Sequence, residues 1–222
     1  MVKIMTFEQV KKDEAVRIYI AQADASLKAL GFTEHSFAHV TRVAEVAGNI
    51  LEVMGHSPRT VELAKIAGFL HDIGNVVNRV DHSQSGAVMA FRILDRMDFP
   101  PEEIATIVTA IGNHEEGTGV PVNAVAAALI IGDKSDVRRS RVRDKQTISL
   151  DIHDRVNYSV TDSQLDIHPQ KGEMVLKLTV DTEVSSVMEY FEIFMKRMIL
   201  CRQAAKTLGL RFHLSINGQE LA

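Results

Sequence analysis

Ala67-Gly68-Phe69-Leu70-His71-Asp72-Ile73-Gly74 places a histidine and an aspartate side by side at the end of an apolar run. The run begins at Ser57-Pro58, a helix N-cap followed by proline at the first helical position. Val61, Leu63, Ala64, Ala67 and Leu70 are its apolar residues. A carboxylate beside such residues is costly to bury without a partner. Taken alone, His71-Asp72 also reads as an imidazole favoured by the helix C-terminus, with an aspartate in the following turn.

Working outward, helices precede and follow this string. Thr6-Phe7-Glu8-Gln9 has the form of a capping box, and the helix it starts is expected to run to about Leu30, stopped by Gly31. A second helix is expected over Ser36 to Met54. Beyond a loop from Gly74 to Asp81, helices are expected over Ser83 to Met97, Glu102 to Asn113 and Val122 to Asp136. Phe99-Pro100-Pro101 and the turn-rich Glu116 to Pro121 separate them.

The pattern changes after the basic run Arg138 to Arg143. Tyr158 to Ile167, Met174 to Val180 and Phe212 to Ile216 read as strands. Val184 to Leu208 reads as one long helix. The expected fold is therefore mainly α. Residues 1–146 form a helical bundle, and residues 147–222 a small α+β domain of antiparallel strands and one long helix.

Composition is that of an ordinary globular chain, with 222 residues, 45% apolar and 24% charged. A net charge of −4 argues against a polymeric nucleic acid as partner. The one cysteine rules out a disulfide within the chain and a thiolate-rich metal site. The sequence has neither a signal-peptide-like start nor an apolar run of ~18 residues. The expectation is a cytoplasmic protein without membrane contact.

His39 lies on the second helix, and Asp133 sits near the end of the sixth, in Leu129-Ile130-Ile131-Gly132-Asp133. A bundle that buries two histidines and two aspartates at separate points most simply pairs them with a metal ion, and bundle cores host such sites. His39, the Leu-His-Asp-Ile-Gly string at 70 to 74 and Asp133 resemble the H…HD…D signature of the HD-domain superfamily over roughly residues 30 to 145. The resemblance implies an all-helical phosphohydrolase fold. It makes His71, Asp72 and Asp133 the catalytic centre, and His39, His71, Asp72 and Asp133 ligands of a first divalent ion. Dinuclear members place histidines where His82 and His114 stand, so these are expected at a second ion, with Asp72 able to bridge.

Asn113 to Pro121 also resembles, in shortened form, the glycine-rich run of HD-GYP proteins, which degrade cyclic dinucleotides. It departs at Asn113, at Val120, in lacking two residues before the glycines, and in Asn75, where those proteins carry lysine.

Imidazole and carboxylate ligands suit Fe, Mn, Zn, Co or Ni. A bound ion lowers the pKa of its water to about 7, giving a hydroxide for attack on phosphorus. Lys134, Arg138 and Arg143 follow Asp133 and are expected to hold the phosphate, since arginine forks match phosphate oxygens. Arg79 and His35 are further candidates. Arg139 and Arg141 read equally well as a solvated connector.

The expected function is hydrolysis of a small phosphate ester, a nucleotide first. A cyclic-dinucleotide phosphodiesterase is the first alternative. A non-catalytic sensor or scaffold with a structural metal is the second. Val184, Val187, Met188, Phe191, Phe194, Met195, Met198 and Ile199 give the last helix more apolar surface than a three-stranded sheet covers. Packing on the bundle and a homodimer interface account for it equally well.

Overall fold

The computed structural model describes residues 5–144, 146 and 148–221. The helices α1 (Phe7–Lys12) and α2 (Glu14–Ala29) replace the single helix expected there. Thr6 and Gln9 form the capping box, but the chain becomes extended at Asp13, whose carboxylate accepts the Val16 N–H at 3.0 Å and caps α2. A polar residue that caps one helix has ended another.

Then come α3 (Phe37–Val53), α4 (Pro58–Leu70), α5 (His82–Arg96), α6 (Pro101–Gly112) and α7 (Ala124–Lys134). Ser36, Ser57 and Asn123 cap α3, α4 and α7 with their side chains. From Val125 to Lys134 every residue of α7 is buried. This is the central helix, packed against α3, α4 and α6.

Two glycines of the quoted string permit close approach. A Cβ on Gly68 would lie 2.7 Å from the Ala44 Cα, so glycine lets α4 lie against α3. A Cβ on Gly74 would collide with the His82 carbonyl and lie 2.5 Å from the Gly86 nitrogen. Gly74 belongs to a single 3-10 turn, Ile73–Val76, against which α5 is seated.

The C-terminal part holds α8 (Ile152–Ser159), β1 (Val160–His168), β2 (Glu173–Val180), α9 (Val187–Thr207), β3 (Arg211–Ile216) and β4 (Gln219–Glu220). The description "all-helical" thus fits only the bundle. The sheet order is β1-β2-β3-β4. β1 and β2 are antiparallel as expected, and β3 pairs antiparallel with the short β4, a strand that was not expected; β2 and β3 run parallel, with Leu176 opposite Leu214. The long helix α9 joins β2 to β3, and a helical crossover returns the chain in the same direction.

Three further differences concern boundaries. α8 was not expected; Asp151 caps it by accepting the His153 and Asp154 N–H groups. Val184 lies outside α9, which starts at Val187 behind a Ser186–Glu189 capping box. Lys145 and Thr147, which flank the expected domain boundary, lie outside the described residues.

α9 packs on α7, α8 and β3. Tyr190, Phe194, Met198, Cys201 and Ala204 are buried, whereas Met188, Met195 and Ile199 stay exposed. Buried apolar residues run continuously from Phe7 to Ile216. Among the described residues no helix is long and apolar enough to cross a membrane.

Candidate metal centre

Five helices deliver the six side chains. His39 comes from the first turn of α3, and His71-Asp72 from the end of α4. His82 opens α5, His114 follows α6, and Asp133 lies in the last turn of α7. Asp81, just before His82, adopts a left-handed conformation (φ 57°), rare for a residue with a side chain. This turn carries the chain into α5 with His82 buried at its head.

All four histidines present themselves in the same way. Nδ1 of His39 bonds the Asp136 Oδ2 at 2.7 Å. Nδ1 of His71, His82 and His114 meets the backbone carbonyls of Gly68 at 2.8 Å, Arg79 at 3.1 Å and Ile111 at 2.6 Å. A carbonyl or carboxylate oxygen only accepts, so Nδ1 donates and Nε2 is the nitrogen turned to the interior. Metal-ligating histidines are oriented in this manner.

The Nε2 atoms converge on the two sides of the Asp72 carboxylate. Oδ2 lies 3.6 Å from the His39 Nε2 and 3.4 Å from the His71 Nε2. Oδ1 lies 3.4 Å from the His82 Nε2. The Asp133 Oδ1 lies 3.4 Å from His39 and 3.7 Å from His71. Three overlapping triads result: His39–His71–Asp72, His71–His114–Asp133 and Asp72–His82–His114, each with its ligand atoms within 4.8 Å of one another. Nε2 of His39, Nε2 of His71 and Oδ2 of Asp72 are buried without a hydrogen-bond partner. Buried polar atoms normally find one. An orphaned, convergent nitrogen and oxygen set fits one or two divalent cations, with Asp72 shared between them.

The electrostatics agree. Burial, with nearby cations, pushes His82 down to about 4 and His114 to about 3, so both are neutral at pH 7, the form a ligand nitrogen needs. Burial also pulls His71 down, but the Asp72 and Asp133 carboxylates outweigh it and raise His71 to about 10. Burial pushes Asp72 and Asp133 up. His71, and for Asp133 also Lys134, hold both well below the usual carboxylate range. Asn75 donates to the Asp72 Oδ1 at 2.9 Å and fixes that carboxylate.

A small cavity over the cluster is lined by His35, Asp72, Arg79, His82, His114, Asp133, Lys134, Arg141 and Arg197. His35, Arg79, Arg141 and Arg197 also line an outer cleft of about 310 Å³, whose far side is formed by Phe32 and by His153, Asp154 and Asn157 of α8. His35 Nε2 is 4.0 Å from the Asp72 Oδ2. Lys134 is buried, 2.7 Å from the Asp133 Oδ2 and 3.2 Å from the Glu116 Oε1.

Of the expected phosphate-binding residues, Lys134, Arg79 and His35 are brought to the cavity. Arg138 and Arg143 are not among its lining residues. Arg138 grips both oxygens of Asp136, at 2.5 and 3.0 Å. Arg143 bonds Asp24 and the Phe32 carbonyl in a neighbouring groove. The 3-10 turn Arg139–Arg141 that follows α7 buries Arg141 instead. Arg197, on α9, reaches the cavity edge and lies 2.7 Å from the Glu116 Oε1. The sequence left Arg141 open between a phosphate contact and a solvated connector, and it did not single out Arg197. A basic run does not reveal which member faces inward, and Arg197 lies far along the chain in a helix without a motif.

Residues 36–158 match the protein-family model described as HD domain. The uncharacterized protein MJ1020 of Methanocaldococcus jannaschii is 26% identical over 161 residues, which are 63% of this chain and 62% of that protein. This chain thus matches less than two thirds of that relative's length. The crystal structure of a predicted HD superfamily hydrolase from an uncultured Thermotogales bacterium is 25% identical, with a TM-score of 0.42 over 59% of this chain and 73% of that one.

Proposed function

The chain belongs to the HD domain family, and from that premise we propose that it is a metal-dependent phosphohydrolase acting on a small phosphate ester, a nucleotide first. One observation carries the reading. Four imidazoles, each anchored through Nδ1, point Nε2 at the two sides of one buried carboxylate, beneath a wall of cations.

One or two divalent ions of the Fe, Mn, Zn, Co or Ni type would supply Lewis acidity and an activated water there. His39, His71, Asp72 and Asp133 would hold the first, and His82, His114 and Asp72 the second. The protein's own part is positioning and charge. Arg79, Arg141, Arg197 and Lys134 line the cavity and favour a polyanion against the ligand carboxylates. His35 lines both the cavity and the cleft, where it can hydrogen-bond an ester oxygen. The cleft, at about 310 Å³, is large enough for a small organic group.

Elemental analysis of the purified protein, and phosphate release from a panel of phosphomonoesters, nucleotides and cyclic dinucleotides with each of the five metals, test this reading. Metal in the wild type, its loss in Asp72→Ala and turnover of a monoester are expected. Linear dinucleotide as the only product would transfer the assignment to phosphodiesterase. A metal-loaded protein inert on the whole panel would refute an enzymatic role.

A further inference from the structure

We propose that Arg141 is an anion clamp, placed to bind the phosphate group of the substrate at the neck between the metal cavity and the outer cleft. Its side chain is 4% exposed. Its Nε donates to the Glu34 carbonyl at 2.9 Å and its Nη1 to the Asp136 carbonyl at 2.8 Å. Both acceptors are neutral. The carboxylate within ion-pair reach, Asp136 Oδ2, is 4.0 Å away and already takes the His39 Nδ1 at 2.7 Å and the Arg138 Nη2 at 3.0 Å. Arg141 is thus a buried cation without a carboxylate of its own.

Burying a guanidinium in that state is costly. Two backbone carbonyls can be satisfied by a neutral donor, so the positive charge needs another explanation. Position supplies it. Arg141 lines both the cavity that holds Asp72 and Asp133 and the cleft beyond it. The two carbonyls fix the plane of the fork, and a pre-oriented guanidinium matches two oxygens of a tetrahedral anion. Arg79 lines the same two cavities. Its guanidinium rests over the Phe32 ring at 5.8 Å. The ligand is a phosphate group, delivered by an ester whose organic part lies in the cleft.

This assignment rests on the phosphohydrolase reading for its substrate, but its test does not need turnover. Manganese-loaded wild type, Arg141→Met and Arg141→Lys are titrated with inorganic phosphate by calorimetry, and metal content and thermal midpoint are recorded for each. Arg141→Met is expected to keep its metal and to bind phosphate at least about tenfold more weakly. Arg141→Lys should fall between, because an ammonium keeps the charge without the fork. If the esterase is active, KM should rise more than kcat falls.

Unchanged phosphate affinity in folded, metal-loaded Arg141→Met would overturn the clamp. So would a metal-loaded wild type that binds no phosphate. Should the methionine variant fail to fold, unchanged affinity in Arg141→Lys would overturn it equally. Phosphate held through Arg141 in a protein that hydrolyses nothing would leave the anion site standing and remove the hydrolase reading.

Discussion

The Asp136 Oδ2 accepts the His39 Nδ1–H at 2.7 Å, deep in the bundle where neither side chain meets solvent. The Asp136 Oδ1 is 3.1 Å from the Arg42 Nε and 2.5 Å from the Arg138 Nε. Both oxygens are committed, and with burial opposing them these partners hold the carboxyl well below its usual range. Asp136→Asn retains the shape but turns an N–H toward a donor on one side or the other. We expect metal affinity to fall about 10- to 100-fold, with the fold retained, as read by calorimetric metal titration. Affinity equal to wild type would show that His39 is held without Asp136.

Metal binding should release protons. His71 is raised to about 10 by Asp72 and Asp133, and a ligand nitrogen must give up its proton to a cation. Metal titrations at pH 7 in buffers of different ionisation enthalpy should therefore give different apparent heats, and affinity should increase with pH. The sign for stability is the opposite. A folded value above the ordinary 6.5 means that His71 stabilises the metal-free protein fully below pH 6.5, and that this contribution is lost as pH rises through about 10. Identical heats in all buffers would contradict a protonated His71.

Gly74→Ala should be more damaging than a loop substitution usually is. Its Cβ would collide with backbone of α5 on the His82 side, and backbone cannot rotate away. A loss of ~1–3 kcal/mol is expected, along with weaker metal binding as His82 shifts. Denaturant midpoints and metal content measure the two effects. A variant of wild-type stability would mean that α5 can slide freely.

Cys201 should resist thiol reagents in the folded protein. It is fully buried, and burial pushes its thiol up to about 12, against the opposing pull of Lys134 and Arg197. The thiolate is the reactive form. Labelling at pH 8 should be slow in the native state and fast in denaturant. Rapid native labelling would place α9 in frequent local opening.

Lys134→Met should destabilise the protein by ~3–5 kcal/mol, since it strips the partner from a buried pair. Lys134 lies between Asp133 at 2.7 Å and Glu116 at 3.2 Å. Bound metal should offset part of the loss by neutralising Asp133. Thermal midpoints with and without metal give the comparison.

Much of the centre was legible because its chemistry is written in short, unusual strings. An adjacent His-Asp after an apolar helix, and an aspartate inside the most apolar one, have few purely structural explanations. His82 and His114 entered only through the resemblance to dinuclear HD proteins, and the structure brings both beside Asp72. Arg141 was not legible, since all four arginines between 138 and 143 have the same composition and only the 3-10 turn selects the inward one. α8 was hidden because its one strong signal, the Asp151 cap, stands in a polar stretch without apolar periodicity. The parallel β2–β3 pair followed from the length of the helix between them, a signal present in the sequence but outweighed by the expectation of simple hairpins.

The placement of Arg197 on α9, against Glu116 and at the rim of the cavity, bears on how this chain can be divided. A fragment ending after the motif-bearing helices would contain all six residues of the candidate metal centre. It would also expose the apolar flank of α7 to water and remove α8 and Arg197 from the cleft wall. Such a fragment should aggregate, so removing α8 and α9 would dismantle the wall of the cavity above the histidine and aspartate cluster.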